Sequence, residues 1–218
     1  MSFYVFMKYL EKTPERYDFA IRLLSSGKLN DVYKRFVSYI EPGQKVLDIG
    51  CGTGTLAIMA ALKGAKVRGI DINPRMLEIA REKAEKSGVS QNVEFIEMGV
   101  GELYTEGENS YDVIVSILCF SELSEQEQNF ALSMIKKILK PGGLLLIADE
   151  TVPTGFFKRI LIFKLRLFFK ILTFILARSF TRPVKNLPEK IKKYGFEIES
   201  IRKNKMGNFL EVVAKNGP

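Results

Sequence analysis

The 218-residue chain contains no histidine. That removes the commonest general base and every histidine-based metal site, so the chemistry must be managed by other groups and no metal is expected. Cysteine is almost as scarce. Two residues, Cys51 and Cys119, make no disulfide framework and point to a reducing cytoplasm. Met1–Leu10 lacks a basic start followed by a long apolar run, so a signal peptide is not expected. Acid is nearly missing from the last quarter. Residues 155–218 hold 4 Asp/Glu against 15 Lys/Arg, a balance of +11, whereas residues 1–154 hold 21 against 18, a balance of −3. The overall +8 therefore belongs to the C-terminal region, where an anionic partner would bind. The length suits one α/β domain with a generous core.

Against these absences stands one dense stretch. Val46-Leu-Asp-Ile-Gly-Cys-Gly-Thr-Gly-Thr-Leu-Ala-Ile-Met-Ala60 is followed by Gly69-Ile-Asp71. An apolar strand carrying an acid runs into a glycine-rich turn and then a helix, and a second strand ends in another acid. Glycines at 50, 52 and 54 let backbone approach a ligand and open a helix. Asp71 is placed to accept hydrogen bonds from two ribose hydroxyls. Both features belong to a nucleoside-binding βαβ unit. The spacing is G-x-G-x-G rather than the dinucleotide G-x-G-x-x-G. Asp48, two residues before the first glycine, would repel a pyrophosphate and suit a cationic ligand.

Thr13-Pro14 opens a helix that Gly27 stops, with Phe19, Leu23 and Leu24 on its apolar face. A second helix is predicted from Asn30 to Ile40, with Val32, Phe36, Val37 and Ile40 inward. Both precede the nucleoside unit and read as a lid. From Lys45, strand and helix alternate, the mark of a parallel sheet. Strands are predicted at Val46–Ile49, Lys66–Ile70, Val93–Glu97, Tyr111–Ile117 and Leu144–Ala148. The helices between them run over Thr53–Lys63, from Asn73-Pro74 to Ser87, and from Ser124 to Leu139. Phe196–Lys203 and Gly207–Ala214 read as an antiparallel hairpin around Asn204–Met206. The expected organisation is one domain over 1–218. It comprises a helical lid (1–42), a cofactor-binding core (43–150), an apolar basic helical insertion (151–195) and a closing hairpin (196–218).

The stretch Asp48-x-Gly50-x-Gly52-x-Gly54 resembles the first motif of the class I S-adenosylmethionine-dependent methyltransferases. Pro42-Gly43, Tyr111-Asp112-Val113-Ile114 and Leu139-Lys140-Pro141-Gly142-Gly143 fall where that family has similar residues, so the resemblance covers about 43–150. Within the family the chain is most similar to the ubiquinone/menaquinone-biosynthesis type, which methylates small molecules. Glu15-Arg16-Tyr17-Asp18 and Arg182-Pro183-Val184 also resemble relatives associated with corrinoid proteins. The resemblance implies an α/β Rossmann-like fold with a seven-stranded, mainly parallel sheet, a C-terminal antiparallel hairpin and N-terminal lid helices. It also implies S-adenosylmethionine as cofactor, with S-adenosylhomocysteine as product. Asp48, Gly50, Cys51, Gly52, Thr53 and Gly54 would hold the methionine end, Asp71 the ribose hydroxyls and Ile72 the adenine. Gly99, Val100, Gly101 and Ile117 would complete the site. One departure concerns the adenine amino group: where the family usually has Gly-Asp-Ala, the chain has Gly99-Val100-Gly101-Glu102. A lost charge-assisted bond is worth about 1.5–3 kcal/mol unless replaced, and Glu102 either substitutes or starts the next helical turn in solvent.

An activated sulfonium needs alignment more than catalysis, and a base only where the acceptor must lose a proton. The candidates are Glu122 and the pair Asp149-Glu150 at the carboxyl edge of the sheet, and Tyr17 from the lid. Each acid has an ordinary alternative as a cap or loop residue. Phe156–Arg178 is apolar around most of its circumference. On a helix, Lys158, Arg159, Arg166, Lys170 and Thr173 share a sector of about 120°, with Leu161, Leu165, Phe168, Leu172 and Ile175 away from it. Five charges before Ile171 rule out a transmembrane span. An interfacial helix on anionic lipid, a lid over a lipophilic substrate, and a core helix with snorkelling cations all fit this pattern.

The expected function is methyl transfer to a small lipophilic acceptor, a quinone precursor or lipid. The expected setting is the cytoplasm, peripherally on the inner membrane face. The alternatives are an RNA or protein methyltransferase using the basic C-terminal region, a methyltransferase partnered by a corrinoid protein, and a non-catalytic cofactor-binding subunit. Basic residues interleaved with aliphatics argue against nucleic acid. Oligomeric state is not legible.

Overall fold

A computed structural model describes residues 28–152 and 183–217. The helix expected from Thr13 to Gly27, Tyr17 within it, and the segment 156–178 lie outside these residues. The described residues open with helix α1 (Lys28–Ser38) and proceed through β1 (Lys45–Ile49), α2 (Thr55–Leu62), β2 (Lys66–Asp71), α3 (Pro74–Lys86) and β3 (Val93–Glu97). They continue through β4 (Tyr111–Ile117), α4 (Glu125–Ile138), β5 (Leu139–Glu150), α5 (Leu187–Lys193), β6 (Phe196–Lys203) and β7 (Phe209–Asn216). Short 3-10 turns at Val100–Thr105 and Phe120–Glu122 follow β3 and β4.

The seven strands form one sheet in the order β3-β2-β1-β4-β5-β7-β6. β1 to β5 are mutually parallel, and β7 runs antiparallel to both β5 and β6, as the sequence led one to expect. The inner strands are buried on both faces, which explains their near-continuous apolar runs. α1, α2 and α3 cover one face and α4 and α5 the other. β6 is an edge strand, and its exposed Glu197, Glu199, Arg202 and Lys203 discourage pairing with another sheet.

Local chemistry sets the boundaries. Asn73 caps α3, its side chain accepting the Arg75 N–H at 3.1 Å, with Pro74 in the first turn. Ser124 and Glu127 form a reciprocal capping box on α4 (3.2 and 2.7 Å). α2 starts two residues later than the glycine pattern predicts, because Gly54 takes φ +72° as its N-cap. β5 starts five residues earlier than predicted. Pro141-Gly142-Gly143 is a bulge inside the strand, where the register with β4 shifts between Tyr111 and Val113. Asn216 at the end of β7 clips the hairpin there, donating to Leu139 O at 2.7 Å and Lys140 O at 3.2 Å.

α1 is fastened to the sheet. Leu29, Val32, Phe36 and Ile40 are buried in the core shared with α2, and Arg35 forms a two-point ion pair with Glu211 of β7 (2.9 and 2.7 Å). The chain leaves and re-enters the described region at one place. Thr151 and Val184 form a parallel bridge, with Val184 N–H donating to Glu150 O at 2.9 Å. Thirty residues, 153–182, are thus rooted at the carboxyl end of β5. Strand order reverses between β1 and β4, so the topological crevice lies at their carboxyl ends.

Candidate functional site

The loop after β1 is shaped by three glycines with different duties. A Cβ on Gly50 (φ +73°) would fall 2.7 Å from Cys119 Cβ, and one on Gly54 would fall 2.6 Å from Phe95 Cζ. Both are demanded by the protein's own packing. A Cβ on Gly52 (φ +53°) would meet nothing within 4 Å. Its space opens into a cleft of about 560 Å³. The loop is held from β2, where Asp71 Oδ2 accepts the Gly52 N–H at 2.8 Å and Oδ1 accepts the Asn73 N–H at 2.9 Å. From behind, Lys83 Nζ donates to Thr53 Oγ1 (3.2 Å) and Thr55 Oγ1 (3.0 Å).

The cleft gathers most of the residues singled out from the sequence. Asp48, Gly50, Cys51, Gly52, Thr53, Asp71, Ile72, Gly99, Val100, Ile117 and Glu122 all line it. Gly54 lies beneath the loop as the cap of α2, and Gly101 is exposed beyond the lining. Glu150 also stands apart from the lining, buried opposite Phe209 of β7. Glu102 Oε2 accepts the Gly99 N–H at 2.9 Å, closing the 3-10 turn from solvent, while Val100 packs with Leu103 in the core and borders the cleft.

Other residues complete the wall, and among them Leu29, Tyr33, Met98 and Leu123 came without a sequence signal. Leu29 and Tyr33 reach it from α1, and Met98, Leu118, Leu123 and Glu127 also border it. Leu118 holds φ +59°, an unusual conformation for a branched side chain. The turn after it is secured by two buried polar groups. Asp149 Oδ2 accepts the Ser121 N–H at 3.0 Å. Gln128 donates to Phe120 O (2.9 Å) and Leu123 O (3.1 Å), and accepts from Lys190 Nζ at 2.9 Å. Asp149 therefore supports the cleft wall from behind.

The electrostatics are one-sided. Asp48, Asp71, Glu122 and Glu127 border the cleft, and among the described residues no lysine or arginine does. Asp48 is buried, and desolvation, reinforced by Asp71, raises its carboxyl to about pKa 7, against the Ala57 backbone N–H that lowers it. Burial likewise raises Asp149 to about 7, opposed by its bonds from Ser121 and the Glu150 N–H. Burial pushes the Cys51 and Cys119 thiols well above their ordinary range, so both stay protonated and neither is an activated nucleophile. A cleft so lined suits a nucleoside carrying positive charge and opposes a pyrophosphate. S-adenosylmethionine, with a sulfonium and an ammonium, fits this donor set and the open space above Gly52.

Comparison with known proteins agrees. The family described as "Methyltransferase domain" matches residues 46–143. The chain is 35% identical over 144 residues to a ubiquinone/menaquinone biosynthesis C-methyltransferase of Vibrio cholerae, covering 63% of this chain and 54% of that protein. A protein of the same name from Ectopseudomonas mendocina is 34% identical over 144 residues, covering 63% and 55%. The chain thus spans about half the length of these curated relatives. Among solved structures, an S-adenosylmethionine-dependent methyltransferase of Methanosarcina mazei superimposes with TM-score 0.62 at 22% identity, covering 83% of this chain and 95% of that one. The cyclase SpnF does so with TM-score 0.68 at 18% identity, covering 87% and 81%.

Gly52→Ala is expected to keep the melting temperature of a folded protein within a few degrees while weakening S-adenosylmethionine binding more than tenfold. Gly54→Ala is expected to lower stability further, by about 1–3 kcal/mol, because the overpacked Phe95 and Ala80 contacts add to the strained positive φ that both positions share. Denaturant melts and calorimetry on both variants separate the two. A cation beside Asp48 favours its carboxylate, so binding is expected to release a proton near neutral pH. Affinity is then expected to fall by up to about tenfold per pH unit below 7. Calorimetry in buffers of different ionisation enthalpy reads the proton. In Asp48→Asn both the release and the pH dependence are expected to vanish.

Proposed function

We propose that this chain, whose residues 46–143 match the family described as "Methyltransferase domain", is a class I S-adenosylmethionine-dependent methyltransferase that transfers a methyl group to a small lipophilic acceptor, a quinone precursor or lipid, at an anionic membrane surface. The observation that carries the methyl-transfer part is the cleft bordered by four carboxylates and, among the described residues, by no lysine or arginine. For the acceptor, support comes from the sequence of 153–182, which holds seven phenylalanines and seven Lys/Arg with no acid. That segment is rooted at the carboxyl end of β5 by the Thr151–Val184 bridge, on the edge where the cleft lies. The names of the Vibrio and Ectopseudomonas relatives support the quinone-precursor class.

When bound, S-adenosylmethionine supplies a methyl carbon already activated by a positive sulfur. Asp48 balances positive charge at the methionine end, and its burial makes that balance strong. Asp71 keeps the loop in register through Gly52 and Asn73, and each of its oxygens retains a lone pair for a ribose hydroxyl. Ile72, 71% exposed, offers an apolar face to the adenine. Val100 leaves the adenine amino group without a carboxylate at that position, and the Glu102 oxygen bonded to Gly99 N–H is committed to the turn. Ile117, Leu118 and Leu123 give the acceptor side an apolar wall, and alignment there supplies most of the acceleration. Glu122 is the carboxylate in that wall able to take a proton from an acceptor that must lose one.

The test uses methyl-labelled S-adenosylmethionine with the purified protein and extract from its own source. Label is expected in the organic-soluble fraction. Label in RNA or protein would replace the lipophilic acceptor with a macromolecular one, and binding without any transfer would make the chain a cofactor-binding subunit.

A further inference from the structure

We propose that the β6–β7 hairpin tip is a preformed contact for anionic lipid that holds the carboxyl edge of the sheet against a bilayer. This rests on the membrane reading above and assigns described residues to it.

The tip is a rigid presenter of charge. Asn204 closes it with its own side chain: Oδ1 accepts the Asn208 N–H (3.0 Å) and the Phe209 N–H (3.2 Å), and Nδ2 donates to Asn208 Oδ1 (2.8 Å). Gly207 supplies the positive φ of +71° that the turn requires. From this fixed frame Arg202, Lys203 and Lys205 are exposed, and Met206, next after them, is 45% exposed. The acids of β6, Glu197 and Glu199, sit toward the opposite edge of the sheet, so the strand is polarised along its length. Two exposed lysines and an exposed thioether within four residues make a small amphipathic knob. Such a knob matches the headgroup region of an anionic bilayer, where a cation meets phosphate and an apolar chain enters the acyl boundary.

Its position couples it to the site. The Thr151 N–H donates to Asn208 O at 2.9 Å, so the tip is hydrogen-bonded to the residue at which the insertion departs. Lys185, exposed, directly follows the point of return at Val184. The insertion's own sequence adds seven further cations and no acid. β7 lies two strand spacings from β4, about 10 Å across the sheet, and the turn after β4 forms the cleft wall. A bilayer meeting the tip therefore lies on the acceptor side of the cleft. Single-stranded nucleic acid would want aromatic faces beside the cations for stacking, and Lys203-Asn-Lys-Met-Gly207 has none.

The full chain is tested by flotation with vesicles of phosphatidylglycerol in phosphatidylcholine, with pure phosphatidylcholine vesicles and polyuridylate as comparisons. Each lysine near an anionic surface is worth about a fivefold change in affinity. Lys203→Gln with Lys205→Gln is therefore expected to weaken binding to the anionic vesicles roughly 30-fold. S-adenosylmethionine affinity and the melting curve are expected to stay unchanged, since neither side chain lines the cleft. Equal vesicle binding by wild type and the double variant, with binding lost only on deleting 158–178, would overturn the tip's role and leave the insertion's standing. Absence of wild-type vesicle binding would overturn both. Tip-dependent binding of polyuridylate without vesicle binding would overturn the lipid assignment.

Discussion

The hydrogen bond from Gly52 N–H to Asp71 joins the ends of two parallel strands across the mouth of the cleft. Much of the site depends on it. It fixes the loop whose middle glycine must stay bare, and it engages one oxygen of Asp71 while the other orders Asn73 at the start of α3. It also keeps a second carboxylate near Asp48, whose proton is consequently held more tightly than burial alone would hold it. Two acids in one partly dry cleft with no counter-cation among the described residues is an unfavourable arrangement without a ligand. A positively charged nucleoside relieves it, which turns a cost of the empty site into affinity.

The acceptor side is built on the same economy of buried polar groups. Leu118 adopts a left-handed backbone, and the next turn has few apolar anchors of its own beyond Phe120. Asp149 and Gln128 hold its main chain instead, and Lys190 from α5 holds Gln128. The cleft wall is thereby tied to the helix that follows the insertion's return at Val184. Conformational strain at a ligand-facing residue, secured from behind, is the arrangement by which a site keeps its geometry when occupied. The fold neighbours include a methyltransferase and a cyclase, so the sheet alone does not determine the reaction. The residues in the walls do.

How much of this could be read from the residues follows from the range of each interaction. Asn73-Pro74 and Ser124-x-x-Glu127 announced their helices because capping is local, and strands β1 and β4 because both of their faces are buried. The glycine loop and Asp71 were legible because a tight turn between strand and helix admits few sequences. Gln128 and Lys190 were not, since a glutamine on a helix looks like a solvated residue until α5 packs beside it, 62 positions away. The bulge in β5 read as a turn because Pro141-Gly142-Gly143 carries turn chemistry, and Asn216, which clips it, comes from the far end of the chain. Glu150 read as a cleft acid because it ends a parallel strand, yet it is buried opposite Phe209 of β7 and outside the cleft lining, while its neighbour Asp149 holds the Ser121 N–H.

The central claim is that this cleft recognises a cation on adenosine and rejects phosphate. Calorimetric titration of the full chain with S-adenosylmethionine and, separately, with nicotinamide adenine dinucleotide tests it most directly, because both carry adenosine and differ in the charge attached to it. The account predicts binding of S-adenosylmethionine and none of the dinucleotide at matched concentration. Tighter binding of the dinucleotide would contradict it.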